Sequence, residues 1–215
     1  LGQYTTKTFL WMVLGLMITF GVAVGAWMTG VVFLALRGHL IILIATLVLA
    51  ITMSRRIERM SVGAAKAMFL TYSVLLGLTM SIYLLVYELS YLIYVFFATS
   101  IYFGALALYG YVTKRDLSGY RPILTFGLIF LIVFYLLSWF IPGLSAMDRI
   151  VCLIGIAVFL GYTAYDTQKI RAYYSYYSGF PDMLEKASIF SALQLYLDFI
   201  NLFLYLLRFL GRRRD

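Results

Sequence analysis

Seven long, almost uninterrupted apolar runs constrain this chain more than any single motif in it. They cover about Phe9–Leu36, His39–Met53, Ala67–Tyr87, Tyr91–Val112, Pro122–Ile141, Ile150–Ile170 and Ala187–Leu210. A helix needs roughly 20 apolar residues to cross a hydrocarbon core of about 30 Å, and in lipid only helices and closed barrels satisfy every backbone polar group. A barrel would show alternating segments of about ten residues. These runs are longer and continuously apolar, so they predict helices. Only 12% of the residues are charged and 64% are hydrophobic, where a soluble domain has about a quarter and a half. That leaves too little polar surface for a water-facing globule.

The expected fold class is therefore an all-α multi-pass membrane protein with seven transmembrane helices, forming a single helical-bundle domain over residues 1–215. Connectors are short, no span is interrupted by Pro in its middle, and no internal repeat is visible. The first run exceeds the 7–15 apolar residues of a signal peptide, so it is expected to stay as a span. The second is the shortest and should tilt little. Gly21-x-x-x-Gly25 fits a close helix-packing motif.

Several function classes fall away on composition. One cysteine, Cys152, allows no disulfide framework, and one histidine, His39, removes most histidine metal sites and catalytic triads. The formal charge of +8 reads as an orientation signal rather than a nucleic-acid face, because no known nucleic-acid module is present. The N-terminus and the loops after spans two, four and six carry eleven of the 17 basic residues, which predicts that side to be cytoplasmic. The tail arginines 212–214 argue the other way.

Nearly all charges lie in loops or at span ends, where topology explains them. Asp198 does not: it sits near the middle of the last run, where an ionised Asp costs at least about 2.5–3.5 kcal/mol and is functional by default. Ser191, Gln194, Asp198, Asn201, Tyr205 and Arg208 recur at helical spacing and form a polar seam along one stripe. Interhelical hydrogen bonding accounts for Ser191, Gln194 and Asn201. Asp166 is the second candidate, one turn before the basic end of span six. If the Tyr-rich 171–177 stretch marks the interface, Asp166 lies about 10 Å inside it, and Asp198 lies about 12–16 Å deep from its own side of the last loop. Two carboxylates sharing a dry site cannot both ionise cheaply, so the pair would hold one proton. Deprotonated, it would offer hard oxygens to calcium. Asp182 and Glu185 are expected to cap the last helix after Pro181.

Three separated motifs then carry a resemblance. Thr113-Lys-Arg-Asp-Leu-Ser118, Tyr165-Asp-Thr-Gln-Lys-Ile170 and Leu195-Tyr-Leu-Asp-Phe-Ile-Asn-Leu-Phe203 with Leu206-Leu-Arg-Phe-Leu-Gly211 resemble the Bax inhibitor-1 (TMBIM) family in its bacterial YetJ/YbhL-like branch. The resemblance implies a bacterial inner-membrane protein of seven helices whose C-terminal helix is central, wrapped by the other six. It implies a pH-sensitive calcium leak with a paired-aspartate sensor at Asp166 and Asp198, where calcium would bind only transiently. It also implies an arginine at the end of helix two, Arg55 or Arg56, as gating partner of Asp166. The acid that relatives carry within helix two is missing from the Leu40–Met53 run. The expected partners are the bilayer, calcium, protons and another membrane protein such as a protease; no enzyme activity, resident cofactor or nucleic acid is expected. The rival readings are a proton-coupled cation transporter and an interaction protein acting on a membrane protease or cell-death machinery.

Overall fold

A computed structural model describes residues 1–210, so the expectation placed on the tail arginines lies outside the described residues. The chain runs as α1 (Gly2–Thr29), α2 (Val31–Arg37), α3 (His39–Arg56), α4 (Val62–Val86), α5 (Leu89–Val112), α6 (Arg121–Ser138), α7 (Asp148–Tyr177) and α8 (Pro181–Leu210). Short 3₁₀ turns occupy Ser118–Tyr120 and Leu144–Met147, and no strand occurs among the described residues. All the α-helices except α2 are long and apolar enough to cross a membrane, seven in total. The protein is thus an all-α, multi-pass membrane protein.

The first apolar run is not one helix. Gly30, at φ 78°, takes the left-handed conformation that ends α1, and its N–H reaches back to Trp27 O. A residue without a Cβ adopts that backbone at little cost, and α2 starts afresh after it. The span begins at Gly2 rather than Phe9. Span six also extends beyond Ile170, because the Tyr-rich 171–177 stretch continues α7. Only residues 178–180 separate it from α8. In the second turn of α8 the Glu185 carboxylate meets Lys7 Nζ at 3.3 Å and Lys66 Nζ at 2.6 Å.

Burial follows the logic of a lipid solvent. On α1 the buried positions Tyr4, Thr8, Met12, Leu16, Thr19, Ala23 and Ala26 form one stripe, while Leu10 and Met17 on other faces are exposed. Outward residues stay apolar because lipid tails are as apolar as leucine. The share of the apolar window that is buried rises from 11% in α3 to 67% in α8. In α8 the burial includes consecutive residues, as in Leu202–Phe203 and Leu206–Leu207, while Phe190, Gln194, Leu197 and Asn201 form a half-buried stripe.

Packing groups the chain into two compact units. The first holds Leu1–Leu89 and Ile170–Tyr196. In it α1 and α4 touch closely where Gly77 faces Thr19 O and Val22, and Thr19 Oγ1 donates to Ser73 O at 3.0 Å. Gly21 and Gly25 do not serve as expected, since a Cβ at either would meet nothing; Gly15 and Gly77 take the close approaches instead. The second unit holds Ser90–Lys169 and, among the described residues, 197–210. Here the Phe199 ring packs on Phe96 and Phe103 at 5.3 and 5.4 Å. Gly110 of α5 lies so close to Ala164 of α7 that a Cβ would overlap the Ala164 carbonyl.

Candidate functional site

Asp166 on α7 and Asp198 on α8 belong to the same unit and are buried, 7% and 5% exposed. Their carboxyl groups lie within hydrogen-bonding reach of each other. A bond between two carboxyls requires a proton on one of them, since an ionised carboxylate only accepts. The surroundings differ. Asp166 Oδ1 accepts from Lys169 Nζ at 3.3 Å, one turn on along α7, and Arg121 at the start of α6 adds a more distant positive charge. Lys169 also acts through space on Asp198, whose Oδ2 is buried without a hydrogen-bond partner among the described residues.

The local sequence explains that isolation. Thr163 and Thr167 flank Asp166 on α7, yet their hydroxyls donate to Phe159 O at 2.7 Å and Thr163 O at 2.6 Å, the usual escape for a hydroxyl inside an apolar helix. Asn201 Nδ2 donates to Leu197 O in its own helix at 2.8 Å. None of these groups reaches the carboxyls. Lys169 also lies over the Tyr165 ring, 5.2 Å from the centroid.

Gln168, in the same motif as Asp166, clamps the 113–118 loop. Its Oε1 accepts from Leu117 N and its Nε2 donates to Arg115 O, both at 2.8 Å. One amide side chain thus holds two backbone groups of the segment that contains the Thr-Lys-Arg-Asp motif. Within that loop Asp116 accepts from Ser118 N and Ser118 Oγ. Those two donors hold its carboxyl below the usual carboxylate range.

The rest of the polar seam divides. Ser191 Oγ is buried and faces the Tyr4 hydroxyl without a well-aligned bond, and Gln194 is half-buried; both lie in the first unit. Tyr205 belongs with a separate polar group of the second unit. There Tyr135 Oη donates to Asp148 Oδ1 at 3.2 Å, the buried Cys152 lies alongside, and the Arg208 guanidinium stacks on Tyr135 at 4.8 Å. The Tyr205 ring stacks on Phe159 at 5.7 Å. Arg55 and Arg56 are exposed at the C-terminal end of α3 in the first unit. The cation found beside Asp166 is Lys169, which charge counting had assigned to topology alone; the Asp-x-x-Lys spacing, which places both on one helix face, was the available signal. No group of three or more His, Cys, Asp or Glu side chains converges among the described residues. Two carboxylates fall well short of the six to eight oxygens around a resident calcium.

The model of the family described as inhibitor of apoptosis-promoting Bax1 matches residues 1–215. The inner membrane protein YbhL of Escherichia coli is 41% identical over all of this chain and 93% of its own length. An uncharacterized protein of Rickettsia prowazekii is 43% identical over 81% of this chain and 73% of its own, and one of Deinococcus radiodurans is 38% identical over 99% and 91%. With a family model matched from end to end and relatives this similar across 73–93% of their own length, the chain belongs to the Bax inhibitor-1 family.

Proposed function

We propose that this protein is a pH-sensitive calcium leak channel of the bacterial inner membrane, gated by the Asp166–Asp198 pair. The observation that carries this reading is a buried carboxyl pair within hydrogen-bonding reach of each other, in which Asp198 Oδ2 has no partner among the described residues. Loss of the bridging proton would leave two like charges that repel in a dry site and expose hard oxygens suited to calcium. Protons and calcium would therefore compete for the same atoms. Calcium is the permeant ion in this reading, with no resident cofactor and no catalysis. The similarity to an Escherichia coli protein named as an inner membrane protein supports the location.

The rest of the proposal concerns movement. Lys169 holds Asp166 in the arrangement described, and Arg55 or Arg56 is the gating partner in a second state. The helix bearing Asp198 serves as the central one. The test is calcium flux into proteoliposomes as a function of pH for the parent, Asp166→Asn and Asp198→Asn. Each substitution should flatten the pH response. Unchanged flux and pH response in both variants would sink the proposal. The family's description as an inhibitor of a cell-death protein favours a second reading, a regulator of another membrane protein; a chain with no calcium flux at any pH would select it.

A further inference from the structure

A cavity of about 240 Å³ opens in the first unit where the C-terminal end of α3, the last turns of α7 and the start of α8 meet. It is smaller than the roughly 300–1,000 Å³ of sites that hold drug-sized molecules, and suits a headgroup more than a whole lipid. Its lining is chemically mixed: Glu58, Lys186, Tyr173 and Tyr177 supply polar atoms, while Met183 and Phe190 are apolar.

Lys186 is 6% exposed. Its ammonium donates to Glu58 O at 2.9 Å and Met60 O at 3.1 Å. An ammonium has three N–H donors, so one is left over. Among the described residues no carboxylate lies within ion-pairing distance of it. Buried charges are ordinarily paired, and this one carries a positive charge with no anion. Glu58 is the converse: its Oε1 accepts from Tyr177 Oη at 2.9 Å, and no cation among the described residues pairs with it. The cavity thus presents an unneutralised cation and an unneutralised anion together, at the end of the spans where Arg55, Arg56 and Arg59 also gather.

We propose that this cavity binds the phosphoethanolamine headgroup of a membrane phospholipid, the phosphate on the free N–H of Lys186 and the ammonium on Glu58. Basic pockets between transmembrane helices hold the phosphates of anionic lipid headgroups; the added acid is what selects an amine-bearing one here. A choline headgroup carries no N–H to donate to Glu58, and a glycerol headgroup has no charge to meet it. Met183 and Phe190 receive the apolar part next to the phosphate.

The test uses the full chain in detergent, titrated with dioctanoyl phosphatidylethanolamine, phosphatidylcholine and phosphatidylglycerol and with soluble phosphoethanolamine, and read by native mass spectrometry. The ethanolamine lipid should bind about tenfold more tightly than the other two, a difference of about 1.4 kcal/mol. Glu58→Gln should abolish that preference, and Lys186→Gln should weaken all three lipids. Lys186 also holds two backbone carbonyls, so its loss can unfold the chain; Glu58 is exposed, and Glu58→Gln tests the selectivity on a folded protein. Equal binding of the three lipids, a preference that survives Glu58→Gln, or soluble phosphoethanolamine binding as tightly as the lipid would each overturn the proposal.

Discussion

At the scale of single residues, the two aspartates are unequal although they touch. Asp166 has Lys169 at 3.3 Å, whereas Asp198 keeps one oxygen without a partner. Asp198 was legible in the sequence because a lone charge amid Leu, Phe and Ile has no topological explanation. Lys169 was not, because a lysine at a span end looks the same whether it faces water or its neighbour one turn away. Removing a cation disfavours the ionised carboxylate beside it, and an opposite charge within about 4–6 Å shifts a carboxyl by one to three pH units. Lys169→Met should accordingly displace the pH at which flux responds, while Asp198→Asn flattens the response altogether. A Lys169→Met profile superimposable on the parent's would remove this ion pair from the mechanism. The seam residues teach a related lesson: equal spacing on α8 put Ser191, Asn201 and Tyr205 on one stripe, yet each meets a different environment.

At the scale of elements, glycines separate the close contacts from mere composition. Gly110 brings α5 onto α7 beside the Asp166 turn, with Ala164 where a Cβ would go. Gly110→Ala should force the two helices apart and lower stability by about 1–3 kcal/mol, the usual range for overpacking, read as a lower melting temperature in detergent. Gly21→Ala meets open space and should be neutral or stabilising by up to about 1 kcal/mol through helix propensity. Equal effects at the two positions would contradict the packing described. The sequence marked the Gly21-x-x-x-Gly25 pair, since spacing is what a motif records; whether a second helix lies against it is a tertiary matter. The Tyr-rich 171–177 stretch, read as an interface marker, forms the end of α7, with Tyr173 and Tyr177 in the wall of a cavity.

At the scale of the whole molecule, seven of the described helices are long and apolar enough to cross a membrane, and the distribution of basic residues predicts that the loops after spans two, four and six face the cytoplasm. In a Cys152→Ala background, Ala146→Cys should react with a membrane-impermeant maleimide in intact cells. Ser118→Cys should react only after permeabilisation. The reverse pattern would invert the orientation. The count of spans and the family were open to reading from the sequence because both are properties along the chain: the length of an apolar run is measured against a fixed bilayer thickness, and motifs are strings of neighbours. The break at Gly30, the Lys169 partner, the Gln168 clamp on the 113–118 loop and the Glu58–Lys186 cavity were decided by the tertiary structure alone. Each depends on the distance between groups or on a backbone angle, and in a membrane, where every outward face is apolar, hydropathy does not say which face meets protein and which meets lipid.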